Sequence, residues 1–313
     1  MTTTLRADLH VHTCHSRQSG TLRFLRSRDC YSTPEAVYRT AKARGMDLVA
    51  ITDHDSIDGA LELFSAHPGA DDIIAGEEVT CWMPEGGVEV HLGVYGMTEA
   101  LHREIQPLRE NVFEVAACLR AADAFFALNH LLHFYRGQVP LESYLRLLDE
   151  VPALEVRNGT MLESHNALIE GLAAHWPAPG GGRLAVVAGS DAHTLRRVGL
   201  TWTSAPGRTR EEFLRSLRNG LGVPGGRHGG TGPVAGDAYR VVASYIAALA
   251  GFGPQDVRGW RRAGCLAFSA ASLPAQFLPL VLAAARKMRE RREVAAARAR
   301  LRVDAALPAE LRA

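Results

Sequence analysis

Apolar runs of strand length alternate with helix-length segments over the first two thirds of the chain. The runs fall at residues 7–13, 47–52, 73–79, 88–95, 125–129, 153–156 and 184–188. Helical patterns lie between and after them, at 99–122, 141–149, 161–174 and 208–219. Thr33-Pro34-Glu35 sets a capping hydroxyl before a proline at the first helical position, and Gly45 supplies the stop. Strands that alternate with helices predict an α/β fold built on a mainly parallel sheet. Pattern alone fits an open sheet and a closed barrel equally, and the barrel is the expectation carried forward.

The pattern changes near residue 222. Residues 177–182 (PAPGGG) read as a surface loop, but 222–236 (GVPGGRHGGTGPVAG) is long, Gly-rich and nearly uncharged. It reads as a linker. The expected organisation is therefore a barrel at 1–222, a linker at 223–236 and a helical C-terminal extension at 237–313. Within the extension, 237–252 and 263–285 read as helical, and 286–302, rich in Arg, Glu and Ala, reads as an exposed helix.

Composition narrows this only a little. A length of 313 residues suits one barrel of roughly 250 residues with an appendage. Lys and Arg number 35 against 34 Asp and Glu, a formal charge of +1, so no global basic field points to nucleic acid. Cys14, Cys30, Cys81, Cys118 and Cys265 form no CxxC pair, which argues against a disulfide framework or a zinc knuckle and fits a reducing cytoplasm. The polar N-terminus carries no secretory pattern. The extension complicates the cytoplasmic expectation. Residues 263–285 hold no charge across 23 positions, and Arg286, Lys287, Arg289, Arg291 and Arg292 follow as a cytoplasmic flank would. Pro274, Gln276 and Pro279 weaken a spanning reading. A helical appendage, membrane contact through 263–292, and an oligomerisation element all fit.

The chemistry lies at the strand ends. His10 and His12 close the first run, and a spacing of two puts both imidazoles on one face. Asp53 and His54 end the second run, Glu77 and Glu78 fall in the third, and His91 lies in the fourth. His130 ends the fifth, and Asp191 with His193 follows the last. A lone His in an apolar run is more often a hydrogen-bonded structural residue. A polar residue at nearly every strand end is different, because the C-terminal ends of barrel strands open onto one mouth. A ring of imidazoles and carboxylates there is costly to bury without cations, so metal binding is the physical solution.

DLHVHT (8–13), AITDHDSIDG (50–59), GEEVT (76–80), EVHLGVYG (89–96), ALNH (127–130), ALEVRNG (153–159) and GSDAH (189–193) resemble the PHP superfamily, named for polymerase and histidinol phosphatase. The resemblance covers residues 7–200 in order and spacing. It implies a distorted (β/α)7 barrel and two or three divalent metal ions, with manganese, zinc or iron suited to a histidine-rich shell. Motif by motif, the implied ligands are His10, His12, His54, Glu78, His91, His130, Asp191 and His193. The family's G-x-E pattern selects Glu78 over Glu77 and makes it the bridging carboxylate. The family's next ligand, an Asp shortly after the HxH pair, is displaced. Residues 17–28 read as an insertion, which leaves Asp29 as the ligand, or His15 in its place. Arg17, Arg23, Arg26 and Arg28 then form either a solvated loop or a basic lid for phosphate. ALNHL lacks the proline that commonly follows that histidine.

The implied activity is hydrolysis of a phosphate ester by a metal-bound hydroxide. Expected substrates are a small phosphorylated metabolite or a nucleotide, in the style of the nucleoside 3′,5′-bisphosphate phosphatases. Arg157, Arg196 and Arg197 are candidates to grip phosphate, and Asp53 or His193 to protonate the leaving group. His133 and His165 are candidate supports for the ligands. The alternatives are a carboxylic or carbamic ester hydrolase on the same metals, and a membrane-recruited, non-catalytic PHP module.

Overall fold

The structure, a computed structural model, describes residues 3–16, 25–135, 137, 139–179, 181–254, 257–272, 275 and 277–303. Among the described residues, nine strands form one sheet in the order β7-β6-β5-β4-β3-β2-β1-β8-β9. They are β1 (Thr4–Asp8), β2 (Leu48–Ile51), β3 (Ile73–Trp82), β4 (Glu89–Tyr95), β5 (Phe125–Asn129), β6 (Ala153–Asn158), β7 (Ala185–Gly189), β8 (Thr201–Pro206) and β9 (Val223–Gly226). The fold is α/β, with a nearly closed, barrel-like sheet and helices at the C-terminus.

β7, at one end of the sheet, comes back to β1 at the mouth. Past the ends of β1 and β7, Val11 bridges Ala192 in parallel, and the His12 N–H reaches the Ala192 carbonyl at 3.1 Å. Gly189 makes the approach possible, since a Cβ there would sit 2.3 Å from the Cβ of His10. On the other flank the Thr203 hydroxyl of β8 exchanges hydrogen bonds with the Ala188 backbone of β7, at 2.7 and 3.0 Å.

The sheet is mixed rather than mainly parallel, and it has two strands more than the seven expected. β4 runs against both β3 and β5, and β8 against both β1 and β9. The chain turns back from β3 at residues 84–87, with the Met83 N–H on the Val88 carbonyl at 2.8 Å, and so short a return can only give antiparallel neighbours. β9 corrects the linker reading. Residues 223–226 pair with β8, and α8 (Thr231–Leu249) starts only a few residues on. Glycine-rich composition hid both elements.

Helices pack outside the sheet: α1 (Pro34–Ala43), α2 (Asp58–Ala66), α3 (Glu99–Ile105), α4 (Val112–Ala121), α5 (Leu141–Leu145), α6 (Glu163–His175) and α7 (Arg210–Arg218). α1 starts as its sequence predicts, with the Thr33 hydroxyl accepting from the Ala36 N–H and Pro34 at the first turn. The single helix expected at 99–122 breaks in two. Gln106–Leu108 is a tighter 3-10 turn, and Asn111 leaves the helix to cap α4 through the Phe113 N–H at 3.1 Å.

Beyond α8 lie α9 (Trp260–Ala271) and α10 (Leu278–Val303). The uncharged stretch at 263–285 is thus shared between two helices, with Pro274 and Gln276 outside the described residues. Among the described residues no helix is long and apolar enough to cross a membrane. The exposed helix expected at 286–302 is half right. Ala283, Lys287, Glu290, Val294, Ala297 and Leu301 form one buried stripe, while Met288 and most of the arginines face outward. That stripe has the three-four spacing of a packed helix. Its lower end joins the large core under α4, α5 and α6, through Val294, Ala297 and Leu301.

Candidate metal centre

Each strand delivers its side chain by simple geometry. Past β1, extended backbone turns His10 and His12 to the same side, two residues apart. In β3 the alternation separates neighbours. Glu78 enters the barrel mouth, while Glu77 points out to His102 Nδ1 (2.7 Å) and Gln106 on and beside α3. Because β4 runs backwards, His91 near its start lies level with the ends of its neighbours, opposite Thr80 and Asn129. His130 and Asp191 both have left-handed backbone, at φ 27° and 51°. L-residues hold such angles only where the surroundings impose them.

Glu78 is the centre. Its Oε2 lies 3.0 Å from His10 Nε2, 3.3 Å from His12 Nε2 and 3.1 Å from His54 Nδ1. Its Oε1 lies 3.1 Å from His91 Nδ1 and 2.9 Å from His130 Nε2. Asp191 Oδ1 closes the other side, 3.5 Å from His12 Nε2 and 3.4 Å from His193 Nδ1. Asp29 Oδ2 approaches His54 Nε2 at 3.5 Å and His193 Nε2 at 3.6 Å. Four overlapping trios have donor atoms close enough to share one ion: His12, His54 and His193; His10, Glu78 and His130; His10, His12 and Asp191; His54, Glu78 and His91.

The residues fit divalent metal. His10 Nε2, His12 Nε2, Asp29 Oδ1 and Glu78 Oε2 are buried without a hydrogen-bond partner, which is costly unless a cation fills the gap. Protons are the alternative filling. Burial alone would lower His12, but the nearby carboxylates of Asp191 and Glu78 raise it to about 10. Burial likewise opposes the charge on His91, and Glu78 with Glu89 raises it to about 9. For Glu78 burial pushes upward, and the surrounding imidazoles hold it well below the ordinary range. His54 goes the other way, down to about 4, because burial and its cationic neighbours outweigh Glu78.

A second layer holds the ligands, and much of it escaped the sequence. Glu155, in the middle of β6, takes His10 Nδ1 at 2.8 Å and the His130 N–H at 3.0 Å. It fixes the ring so that Nε2 faces the cluster, as second carboxylates do at metal sites. A buried acid in an apolar strand was the available signal. Asp191 Oδ2 accepts from Thr160 Oγ1 (2.9 Å) and Asn158 Nδ2 (3.3 Å). The C-terminal extension reaches this layer. Lys287 Nζ donates to the Thr160 carbonyl (2.6 Å) and pairs with Glu290 (2.5 Å), whose other oxygen accepts the Leu162 N–H at 2.6 Å.

Several candidates from the sequence lie elsewhere. Asp53 is fully buried with both oxygens engaged, by the Thr13 N–H and hydroxyl and by Ser16 Oγ. It braces the turn behind His12 instead of facing the cluster. Arg197 is held by the Gly159 carbonyl and Asp237, and among the described residues Arg157 reaches the Pro224 carbonyl, at 3.5 Å. Neither is seen in contact with the cluster. His15 bonds Glu62 at 2.7 Å, away from the ligands that Asp29 joins. Of the insertion, Arg17 and Arg23 lie outside the described residues, and Arg28 bonds the Cys14 carbonyl. His165 holds the Leu131 carbonyl at 2.5 Å. His133 stacks edge-on against His130 and meets the Arg286 guanidinium.

A family model described as PHP-associated matches residues 163–221. The uncharacterized protein MJ1587 of Methanocaldococcus jannaschii is 40% identical over 60 residues, which cover 18% of this chain and 33% of that one. The match thus spans a third of the relative's length. The crystal structure of PsfC from Pseudomonas syringae superposes with a TM-score of 0.50 at 18% identity, covering 78% of this chain and 99% of that one. That likeness is one of fold. A candidate metal-dependent phosphoesterase of Bifidobacterium adolescentis covers 66% of this chain and 91% of its own, at 17% identity and a TM-score of 0.41.

Proposed function

We propose that the chain is a metal-dependent phosphoesterase of the PHP superfamily, whose motifs its sequence resembles and whose associated family model matches residues 163–221. The observation that carries the reading is Glu78, ringed by five imidazoles at 3.3 Å or less with unpartnered donor atoms turned inward. His10, His12, Asp29, His54, Glu78, His91, His130, Asp191 and His193 would hold two or three cations. Manganese, zinc or iron suits this mixture of imidazole and carboxylate better than magnesium. When bound, such ions supply Lewis acidity toward a phosphoryl oxygen and a nucleophile at neutral pH.

The chain's own residues do the rest. Glu155 orients His10, and Thr160 with Asn158 turns Asp191 so that Oδ1 faces His10 and His12. Asp29, His54 and His193 form the partly exposed wall, with 17%, 20% and 26% of their side chains open to solvent. An ester enters along that wall. The substrate class is a small phosphorylated metabolite or nucleotide, with nucleoside 3′,5′-bisphosphates as the first group to assay.

The test is turnover of p-nitrophenyl phosphate, bis(p-nitrophenyl) phosphate, a nucleoside 3′,5′-bisphosphate and p-nitrophenyl acetate with added Mn²⁺. The expected result is release from one or more phosphate esters that disappears on chelation and in Glu78→Ala. Turnover of the acetate alone would move the assignment to carboxylic or carbamic esters. A metal-loaded protein that cleaves none of them would contradict both readings.

A further inference from the structure

On α10, Arg286 brings a guanidinium to the edge of the cluster, where its described partner is an imidazole and not a carboxylate. Its guanidinium donates to His133 Nε2, and His133 in turn lies against the ring of His130, 5.2 Å between centroids. Among the described residues no carboxylate lies within ion-pair distance of Arg286, although Asp191 is near enough to act on it electrostatically. The residue remains exposed to solvent. A cation that keeps water on one side and, on the other, an imidazole packed against the ligand His130 is open to an anion arriving from the mouth.

Its position is fixed, not accidental. The next residue, Lys287, is 2% exposed and tied to Thr160 and Glu290, and Glu290 grips the Leu162 N–H. Farther along α10, Arg298 bonds the Ser164 carbonyl and Arg300 bonds the Tyr135 hydroxyl, each at 3.1 Å. The helix is thus bolted to the loops that follow β5 and β6, the strands that supply His130 and Glu155. A guanidinium on so rigid a support meets an oxyanion at little entropic cost.

We propose that Arg286 is a specificity residue, binding a second anionic group on the substrate while the metal centre holds the scissile phosphate. The inference rests on the phosphoesterase reading and names the substrate class within it: a phosphate ester bearing a further phosphate or carboxylate close by. Arg286 stands one imidazole ring farther out than the ligand His130, so it meets a group adjacent to the one at the cations. A planar guanidinium suits the two oxygens such a group presents.

The test is calorimetry on Mn²⁺-loaded protein with inorganic phosphate and pyrophosphate as probes, for the native chain, Arg286→Gln and Arg286→Lys. In the native chain, pyrophosphate should bind about tenfold more tightly than phosphate, the worth of one charge-assisted contact. Arg286→Gln should bring that ratio close to one at unchanged metal content, and Arg286→Lys should recover part of it. An undiminished ratio in Arg286→Gln overturns the inference while leaving the phosphoesterase reading standing. Loaded native protein that binds neither anion overturns both.

Discussion

A single carboxylate sets the problem at the residue scale. Glu78 cannot be buried among five imidazoles unless protons or cations share the space between them. Its neighbour shows how finely this is decided, since Glu77 takes the opposite face of β3 and answers to His102 instead. The alternation of a strand is readable from sequence, but which of two adjacent acids faces in is not, and only the family pattern G-x-E separated them. His10 and His12 were legible for the same reason that they are useful, a spacing of two. Glu155 was not, because nothing local distinguishes a buried acid that orients a histidine from one that pairs elsewhere. Its role predicts a specific phenotype. Glu155→Gln should keep the fold and lower metal affinity by about 10–100-fold, the usual cost of losing a ligand's carboxylate partner. Competition with a chelating dye would measure it, and an unchanged affinity would remove Glu155 from the site. Asp53 teaches the converse. Polar and terminal to a strand, it looked available for proton transfer, yet Thr13 and Ser16 consume both its oxygens.

At the scale of elements, the strands that carry ligands were visible as apolar runs, and those that close the sheet were not. β9 contains two glycines and a proline, and its pairing with β8 comes from the sheet edge it meets rather than from its own residues. α10 departs from its sequence pattern for a different reason. Its arginines suggest a fully solvated helix, but Lys287 and Glu290 sit within the buried stripe and satisfy each other there. Removing one partner of such a pair strands the other. Lys287→Ala should destabilise the protein by about 3 kcal/mol and loosen the Thr160 turn that steadies Asp191. The double variant Lys287→Met, Glu290→Leu should recover much of the stability without restoring the Thr160 contact. Chemical denaturation with and without Mn²⁺ would separate these effects. Equal stability in the single variant would show that α10 is only loosely attached.

For the whole molecule, the barrel and the cluster are one device, since strands running both ways place their polar ends at a common mouth. This couples protons, metal and stability. In the metal-free chain His91 and His12 titrate near 9 and 10, above the ordinary imidazole value, so their protonated forms stabilise the fold. That contribution is complete below about pH 6.5 and is lost as the pH climbs through about 9 and 10. Chelated protein should therefore lose melting temperature across that alkaline window. Metal-loaded protein should hold its stability there, because the cations replace the protons, and metal uptake at neutral pH should release protons. Melting curves over the alkaline range, with metal and with chelator, would show parallel lines if the cluster does not bind metal.

The most direct measurement is anomalous diffraction from crystals grown with Mn²⁺, recorded at the manganese edge. At least two peaks are expected, with Glu78 between them and His10, His12, His54, His91, His130 and Asp191 around them. An anomalous map without peaks inside that ring of side chains, or with manganese bound only elsewhere on the protein, would contradict that expectation.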